Sequence, residues 1–228
     1  MGLYQAFCRV HRRLRGLPGE SVQLERPFFE LGSDYGGYAV CPNGLGPDSV
    51  VYSFGVGEDI SFDLELIAAF GMNVHAFDPT PRSIAWARAQ KLPEKFVLHE
   101  WGIADYDGIA RFSPPENLEH ISHTLLARSR SAGVPIEVPV LRLATTLERL
   151  GHARVDVLKL DVEGAEYDVI DDLLESKIDV SQLLLEFHHH LEGVPLSRTE
   201  RSIRCLNAAG YRIFHASPSG REFSFIMS

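Results

Sequence analysis

Short apolar runs alternate with amphipathic segments along most of the chain from residue 50 onward. The runs that are rich in β-branched and aromatic residues predict five strands, at 50–54, 73–77, 96–99, 155–160 and 182–187. Apolar residues spaced three or four positions apart predict helices at 61–70, from 81 to about 92, at 165–177 and between Ser197 and Gly210. Strands that alternate with helices in this way form a parallel sheet with right-handed crossovers.

Polar residues near the starts of these helices match known capping patterns. Thr80 is followed by proline, which predicts a helix start because threonine caps the helix and proline fits its first position. The sequences Thr145-x-x-Glu148 and Ser197-x-x-Glu200 have the form of capping boxes. We therefore expect a further, short helix to begin next to Thr145, and the helix that ends at Gly210 to begin next to Ser197.

Two regions depart from the alternation of strands and helices. Residues 104–143 contain four prolines and two short extended pieces, at 109–112 and 136–141, so we interpret them as an excursion that lies over the sheet. Near the end, the sequence SPSG separates the strand-like runs 211–215 and 222–226, which predicts a hairpin. The predicted fold class is α/β, with a doubly wound, mostly parallel sheet that ends in a C-terminal antiparallel hairpin.

Composition and charge narrow the classes of protein that fit this pattern. The chain has 228 residues, of which 45% are hydrophobic, and this suits one globular domain with a short extension. Lys and Arg number 22 against 31 for Asp and Glu, so the net charge of −9 argues against a nucleic-acid partner. The cysteines Cys8, Cys41 and Cys205 form no CxxC pair, which argues against a disulfide scaffold and predicts a reducing, cytoplasmic location.

The first 29 residues differ from the rest and form a predicted N-terminal extension to a domain at 30–228. Residues 1–16 combine four arginines with apolar side chains and predict a short basic amphipathic helix. We expect this helix to pack on the domain, with weak contact to a membrane surface as the alternative. No apolar run approaches the roughly 20 residues that span a bilayer, so stable membrane insertion is not expected.

The first chemical motif is a glycine loop between the strand at 50–54 and the next helix. Gly55 and Gly57 allow a tight turn, and the missing Cβ lets the backbone approach a ligand closely. Asp78 follows the second strand, 21 residues after Gly57, where an acid can hold the ribose of NAD or of S-adenosylmethionine. A third glycine of the dinucleotide pattern is replaced by Ile60. An ordinary tight turn, with Asp78 as a helix cap, is the structural alternative.

The second chemical motif is a group of acids and histidines after two later strands. Asp161, Glu163 and Glu166 follow the strand at 155–160. Glu186 and His188 lie two residues apart at the end of the next strand, where both point to the same face. Helix starts favour acids, which could explain Glu163 and Glu166 but explains Asp161 less well. The histidine run 188–190 could bind a metal, but we expect it to form the rim of a site without one. A histidine here could also act as a general base.

These segments together resemble the FkbM-type family of S-adenosylmethionine-dependent methyltransferases. The similarity rests chiefly on LKLDVEGAEYDVI, and it extends to SFGVG, FDPT and WGIADYDGIARF. Upstream, GSDYGGYAVCP resembles the DGGY-type entry of a methyltransferase-like branch, so the similarity covers roughly residues 30–226. It implies the class I methyltransferase fold, in which the sheet ends in a hairpin, whereas dinucleotide-binding Rossmann domains usually continue with a strand and a helix.

The resemblance also implies a role for individual residues. It places Gly55 and Gly57 against the methionine part of the cofactor and Asp78 on its ribose, and it gives the border of the adenine to Trp101, Gly102 and Ile103. The family's loop usually begins with an acid, where this chain has Ser53. Another residue must then hold the cofactor's ammonium group. The candidates are Asp34, Tyr35 and Glu58.

The reaction that the resemblance implies is methyl transfer to a hydroxyl of a small-molecule or glycan acceptor, such as a sugar or a natural product. Asp161 and His188 are the candidates for the general base, with Glu163 or Glu186 to orient them. The predicted substrate-binding residues are His123, in the excursion, together with Glu166 and Glu186. The alternatives are an NAD(P)-dependent oxidoreductase and a cofactor-binding domain without catalytic activity.

Overall fold

The structure is a computed structural model that describes residues 17–112 and 134–228. The predicted helix at 1–16 and the candidate His123 lie outside the described residues. Residues 17–28 contain no helix. Gln23 and Leu24 donate backbone hydrogen bonds to the carbonyl of Ile213, which ties this segment to the C-terminal hairpin. Within the described ranges, every helix is too short or too polar to cross a membrane.

Five helices are formed by the described residues: α1 Ser61–Phe70, α2 Pro81–Arg88, α3 Leu143–Leu150, α4 Glu166–Ser176 and α5 Leu196–Ala208. Four agree with the predicted positions to within about two residues, whereas α2 ends four residues before the predicted end. There the side-chain amide of Gln90 donates to the carbonyl of Trp86, which satisfies a carbonyl in the last turn.

Both predicted capping boxes are wrong. The helices α3 and α5 begin at Leu143 and Leu196, so Thr145 and Ser197 lie within the first turn, and neither helix has a side-chain cap at its N-cap position. The start of α3 is held instead by a residue that is distant in the sequence. The carboxylate of Asp107 accepts hydrogen bonds from the Arg142 backbone N–H, at 2.8 Å, and from the Thr145 hydroxyl, at 2.7 Å.

The strands form three sheets. Their bounds are β1 Phe29–Leu31, β2 Tyr38–Val40, β3 Val50–Phe54, β4 Asn73–Phe77, β5 Phe96–His99, β6 Gly102–Ile103, β7 Gly108–Phe112, β8 Ile136–Leu141, β9 Val155–Leu160, β10 Val180–Glu186, β11 Tyr211–Ala216 and β12 Glu222–Met227. The large sheet has the order β11-β12-β10-β9-β3-β4-β5, parallel from β10 through β5, with β12 antiparallel to both of its neighbours. The predicted parallel strands and terminal hairpin are confirmed.

Two smaller sheets accompany the large one: the hairpin of β1 and β2, and a three-stranded sheet of β6, β7 and β8. The excursion supplies β7 and β8, so its two extended pieces are strands as expected. They form a sheet with β6, which lies just before the excursion, in the order β6-β8-β7. The hairpin of β1 and β2 was not predicted; it packs next to α1, where Tyr38 contacts Phe62 edge to face. Both hairpin strands lie just before the glycine loop in the sequence, and their connecting turn reaches the same edge of the large sheet as that loop.

The core lies on both faces of the large sheet, because successive residues of its central strands point to opposite sides. Tyr52, Leu158 and Leu183 pack on one face, with α3, α4 and α5. Val51 and Val157 pack on the other, with α1 and β2. Burial on both sides explains why the central strands have almost uninterrupted apolar sequences.

Candidate functional site

A cavity of about 1010 Å³ opens at the carboxyl ends of the parallel strands. It lies where the strand order reverses, with β4 and β5 on one side of β3 and with β9 and β10 on the other. Sheets of this kind bind ligands at this switch point. The loops after β3, β4, β9 and β10 line the cavity, together with the turn between β1 and β2 and the C-terminal hairpin.

The two glycines of the loop after β3 have different physical roles. Gly55 has a φ of +89°, and a Cβ on it would lie 1.9 Å from the carbonyl oxygen of Asp161. This glycine is therefore required by the close approach of two strand ends, and not by space for a ligand. Gly57 has a φ of +56°, and a Cβ on it would have no neighbour within 4 Å. The open side that was predicted for the loop belongs to Gly57 alone.

Asp78 connects the glycine loop to the start of α2. One carboxylate oxygen accepts the backbone N–H of Gly57 at 3.0 Å, and the other accepts the backbone N–H and the hydroxyl of Thr80 at 2.8 and 2.6 Å. Thr80 occupies the predicted N-cap position, but its hydroxyl makes no capping bond. A carboxylate has about four lone-pair positions, so one remains for a ligand hydroxyl. These contacts show that Asp78 holds the helix entry, which was the structural alternative, and the ribose contact stays a prediction.

The residues that were predicted to border an adenine separate into two groups. Gly102 and Ile103 line the cavity. Trp101 is absent from the cavity lining, and its ring packs on Phe77 and His99, with ring centroids 5.7 and 4.7 Å apart. Its position next to β5 places the indole among the aromatic rings on one face of the sheet.

A buried histidine surrounded by carboxylates forms the opposite wall of the cavity. The Nε2 atom of His188 lies 3.6 Å from Asp161, 3.8 Å from Glu163 and 4.0 Å from Glu186. The side chain of His188 is only 2% exposed, whereas 30% of the Asp161 side chain is exposed. All four residues line the cavity, so the structure brings together the acids and the histidine that follow β9 and β10 in the sequence. We refer to these four residues as the acid–histidine cluster.

Glu166 lies behind the cluster and does not line the cavity. Its side chain is fully buried, and one carboxylate oxygen accepts the backbone N–H of His188 at 2.9 Å and lies 3.3 Å from the Nδ1 of that ring. The other oxygen accepts the backbone N–H of Gly164 at 2.8 Å. Glu166 was predicted to bind substrate, but its contacts make it a residue that positions His188.

The pKa values in the cluster follow from burial and charge. Burial opposes protonation of His188, but its hydrogen bond to Glu166 and the surrounding carboxylates outweigh that effect and raise its pKa to about 10. Burial, followed by the charge of Asp161, raises the pKa of Glu186 to about 7. Negative charge is therefore concentrated in a poorly hydrated place, which favours any cation that enters it.

The candidates for holding an ammonium group all line the cavity, but their surroundings differ. Tyr35 is 87% exposed at the tip of the turn between β1 and β2, next to Asp34. Glu58 forms an ion pair with Arg82 at 2.7 Å.

Two buried charged residues in the cavity wall were not predicted. Lys159 lies within β9, where its ammonium donates to the carbonyl of Gly55 at 3.0 Å and lies 3.9 Å from Asp161. Asp63 lies on the buried face of α1, and one of its oxygens has no hydrogen-bond partner among the described residues. Burial raises the pKa of Asp63 to about 6. The sequence does contain a signal for both residues, which is a charged residue within an apolar pattern. Lys159 stands between two leucines, and Asp63 directly follows Phe62.

The fold, a parallel sheet that ends in an inserted antiparallel strand, is that of the class I methyltransferases. The family model described as the Methyltransferase FkbM domain matches residues 47–213, and the chain belongs to this family. That membership confirms the family resemblance on which the sequence interpretation depended, and it leaves the oxidoreductase alternative without support.

Two curated relatives are similar over most of the chain. One is probable methyltransferase-like protein 24 of Rattus norvegicus, 27% identical over 175 residues, which are 72% of this chain and 42% of the relative. The other is 31-O-demethyl-FK506 methyltransferase FkbM of Streptomyces tacrolimicus, 24% identical over 63% of this chain and 67% of the relative. The chain thus spans less than half the length of the methyltransferase-like relative.

Solved structures support the fold. Methyltransferase FkbM from Methylobacillus flagellatus KT matches with a TM-score of 0.50 and 11% identity, over 80% of this chain and 44% of that one. The fibrillarin pre-rRNA processing protein of Methanococcus jannaschii matches with a TM-score of 0.50 and 14% identity, over 84% and 70% of the two chains.

Proposed function

We propose that this domain is an S-adenosylmethionine-dependent methyltransferase that methylates a hydroxyl of a small-molecule or glycan acceptor, such as a sugar or a natural product. The observation that carries the proposal is that one cavity has a wall suited to a nucleoside and a facing wall of carboxylates and a histidine. Gly57 and Asp78 offer an open backbone turn and a carboxylate to a nucleoside, while the acid–histidine cluster faces them across the strand ends.

The residues around the glycine loop fit such a cofactor. The open side of Gly57 gives room to the methionine part, and the remaining lone-pair position of Asp78 suits a ribose hydroxyl. Asp63 has a buried oxygen without a hydrogen bond in the described part of the chain, so an ammonium group nearby would stabilise its ionised form. We therefore add Asp63 to Asp34, Tyr35 and Glu58 as a candidate for that contact. When bound, the cofactor supplies a methyl group on a positively charged sulfur.

The acid–histidine cluster suits activation of a hydroxyl. Asp161 reaches the cavity with 30% of its side chain exposed, so it is the better placed of the two predicted bases. His188 is buried behind it and held by Glu166, which suits a role in fixing the carboxylates. An acceptor hydroxyl that hydrogen-bonds to Asp161 would lose its proton as the methyl group is transferred.

Oxygen as the acceptor atom is supported by one relative. The Streptomyces tacrolimicus protein is named as a 31-O-demethyl-FK506 methyltransferase, and it is 24% identical to this chain. The net charge of −9 favours a small acceptor over a nucleic acid. The fibrillarin structure is similar in fold, which does not bear on the acceptor.

Thermal unfolding with and without nucleotides tests the cofactor. S-adenosylhomocysteine at 100 times its dissociation constant should stabilise the protein by about 2.7 kcal/mol, which raises the melting temperature by several degrees in a chain of this size. NAD and NADP should have no such effect. Stabilisation by NAD alone would contradict the proposal.

Transfer of a labelled methyl group to a panel of hydroxylated acceptors tests the chemistry. Asp161→Asn should lower turnover on the order of 10²–10⁴-fold while the affinity for S-adenosylhomocysteine stays within a few-fold of the wild type. Asp156→Asn is the matched control, because Asp156 lies in the same strand and accepts the backbone N–H of Val50 at 2.8 Å, at the opposite end of β9. Binding without transfer to any acceptor would favour the catalytically inactive alternative.

A further inference from the structure

We propose that Asp161, Glu186 and His188 form a binding site for one divalent metal ion of the first transition row. Each residue offers one ligand atom, and the three atoms lie within 4.8 Å of one another. A single imidazole nitrogen with two carboxylates is a ligand set that suits Mn²⁺, Fe²⁺ or Zn²⁺. This differs from the interpretation of the sequence, which predicted no metal.

The separations fit a shared ion better than they fit direct hydrogen bonds. The Nε2 of His188 lies 3.6 Å from an oxygen of Asp161 and 4.0 Å from an oxygen of Glu186. Both distances exceed the roughly 3.2 Å limit of a good N–H···O bond. Two ligands that each lie about 2.1 Å from an ion are at most about 4.2 Å apart. One ion between the three side chains would therefore contact all of them after small adjustments.

The imidazole itself provides a second, independent observation. The side chain of His188 is 2% exposed, and its Nε2 faces the carboxylates of Asp161, Glu163 and Glu186 at 3.6, 3.8 and 4.0 Å. These are ion-pair distances, too long for good hydrogen bonds. A metal ion would displace the proton from this nitrogen and replace the long contacts with direct bonds.

The far side of the ring is arranged as it is in metal-binding histidines. The carboxylate of Glu166 lies 3.3 Å from Nδ1, and it is fixed in turn by the backbone N–H groups of His188 and Gly164. A histidine that ligates a metal usually donates its second N–H to such a carboxylate, which leaves the other nitrogen as the ligand. Glu166 would therefore hold His188 as the tautomer that a metal requires.

The role of the ion in methyl transfer rests on the proposed function, whereas the binding of the ion to the three side chains does not. Asp161 borders the space assigned to the acceptor, so an ion held there would bind the acceptor's oxygen and lower the pKa of its hydroxyl. Glu163, 3.8 Å from Nε2 on the cavity side, would then remain next to the ion to accept the proton.

Calorimetric titration of the full chain, without an affinity tag and after treatment with EDTA, measures binding with Mn²⁺ as the probe. We expect one Mn²⁺ per chain. His188→Gln and Glu186→Gln should each weaken Mn²⁺ binding about 100-fold, and Glu166→Gln should weaken it about 10–100-fold. His189→Gln is the matched control, because His189 is adjacent in sequence but its Nδ1 pairs with Thr199, and it should leave the affinity unchanged.

Pulsed electron paramagnetic resonance of Mn²⁺ bound to the wild type gives a test that needs no folded variant. Coupling to one imidazole nitrogen is expected. No binding at millimolar Mn²⁺, an unchanged affinity in a folded His188→Gln variant, or a wild-type spectrum without nitrogen coupling would each overturn the site. These measurements use no S-adenosylmethionine, so their failure is distinct from a failure of S-adenosylhomocysteine to stabilise the protein.

Discussion

Asp78 illustrates how a single carboxylate can organise a site and still bind a ligand. Its two oxygens restrain Gly57 on one side and Thr80 on the other, which couples the glycine loop to the start of α2. Loss of the carboxylate would therefore have two effects, one on the protein alone and one on the bound state. The two effects can be separated by measuring both stability and affinity.

We predict that Asp78→Ala weakens the affinity for S-adenosylhomocysteine by about 10–150-fold, which corresponds to the roughly 1.5–3 kcal/mol of a hydrogen bond to a charged group. Calorimetry gives the affinity and urea unfolding gives the stability. Asp156→Ala is the control, since Asp156 also accepts a backbone N–H but lies at the other end of the sheet. It should cost stability without weakening binding, and equal losses of affinity in both variants would contradict the ribose contact.

Asp63 gives a prediction about pH. Burial raises its pKa from 3.8 to about 6, so the folded protein holds this proton more tightly than the unfolded chain does. The associated stability is present below about pH 4 and is lost as the pH rises through about 6. At about 1.4 kcal/mol per unit, the loss amounts to roughly 3 kcal/mol.

Asp63→Asn should remove this loss. The variant should become more stable than the wild type as the pH rises from 5 to 8, while its affinity for S-adenosylhomocysteine falls if the ammonium contact is correct. Urea unfolding at each pH measures the first effect, and calorimetry at pH 8 measures the second. A stability difference that does not change with pH would show that Asp63 keeps its ordinary pKa.

The cavity residues that follow strand ends could be placed from the sequence, whereas those within a strand or helix could not. Asp161 and His188 follow neighbouring parallel strands, and the ends of such strands meet at one edge of the sheet. The direction in which Lys159 and Asp63 point depends on how β9 and α1 pack against their neighbours. Trp101 shows the same limit, because its distance from the cavity depends on the aromatic rings of β4 and β5.

At the scale of elements, apolar periodicity predicted the central strands and most helices, but local capping patterns did not predict how helices begin. The start of α3 is held by Asp107, which lies 35 residues before Arg142 in the sequence. A contact of that kind depends on where the excursion folds back. The hairpin of β1 and β2 escaped prediction for a similar reason, since each strand has only three residues and gives no periodic pattern.

The loop after β3 gives a prediction that contrasts its two glycines. Gly55→Ala should destabilise the fold by roughly 3–5 kcal/mol, because the new Cβ would overlap the Asp161 carbonyl in a left-handed conformation. Gly57→Ala should cost only about 1–2 kcal/mol, since its surroundings are open, but its methyl group would occupy ligand space. Urea unfolding and calorimetry with S-adenosylhomocysteine separate the two variants. A stable Gly55→Ala protein would contradict the close strand contact.

At the scale of the whole molecule, the position of the cavity at one edge of the sheet predicts where a ligand changes the dynamics. The order of the large sheet puts the glycine loop, Asp78 and the acid–histidine cluster on a single edge. A cofactor bound there should restrain that edge and leave the opposite one unchanged.

Hydrogen exchange measured by mass spectrometry tests this prediction. S-adenosylhomocysteine should slow exchange several-fold at residues 55–60 and 78–83, most of which line the cavity, and should leave the strand starts at 50–51 and 155–156 unaffected. Mn²⁺ without nucleotide should instead protect residues 161–166. Protection by the nucleotide at the strand starts would place its site elsewhere.

The insertion of β12 between β10 and β11 has a consequence for synthesis on the ribosome. β10 ends at Glu186 and β12 begins at Glu222, so the strand that pairs with β10 is made 36 residues later. At about 5–20 residues per second, translation needs roughly 2–7 s to supply it. During that time a nascent chain carries Leu183, Leu184 and Leu185 in a strand with one open edge, which is a recognised hazard for aggregation. The order of strands, and not the overall hydrophobicity, determines when this protein most needs a chaperone.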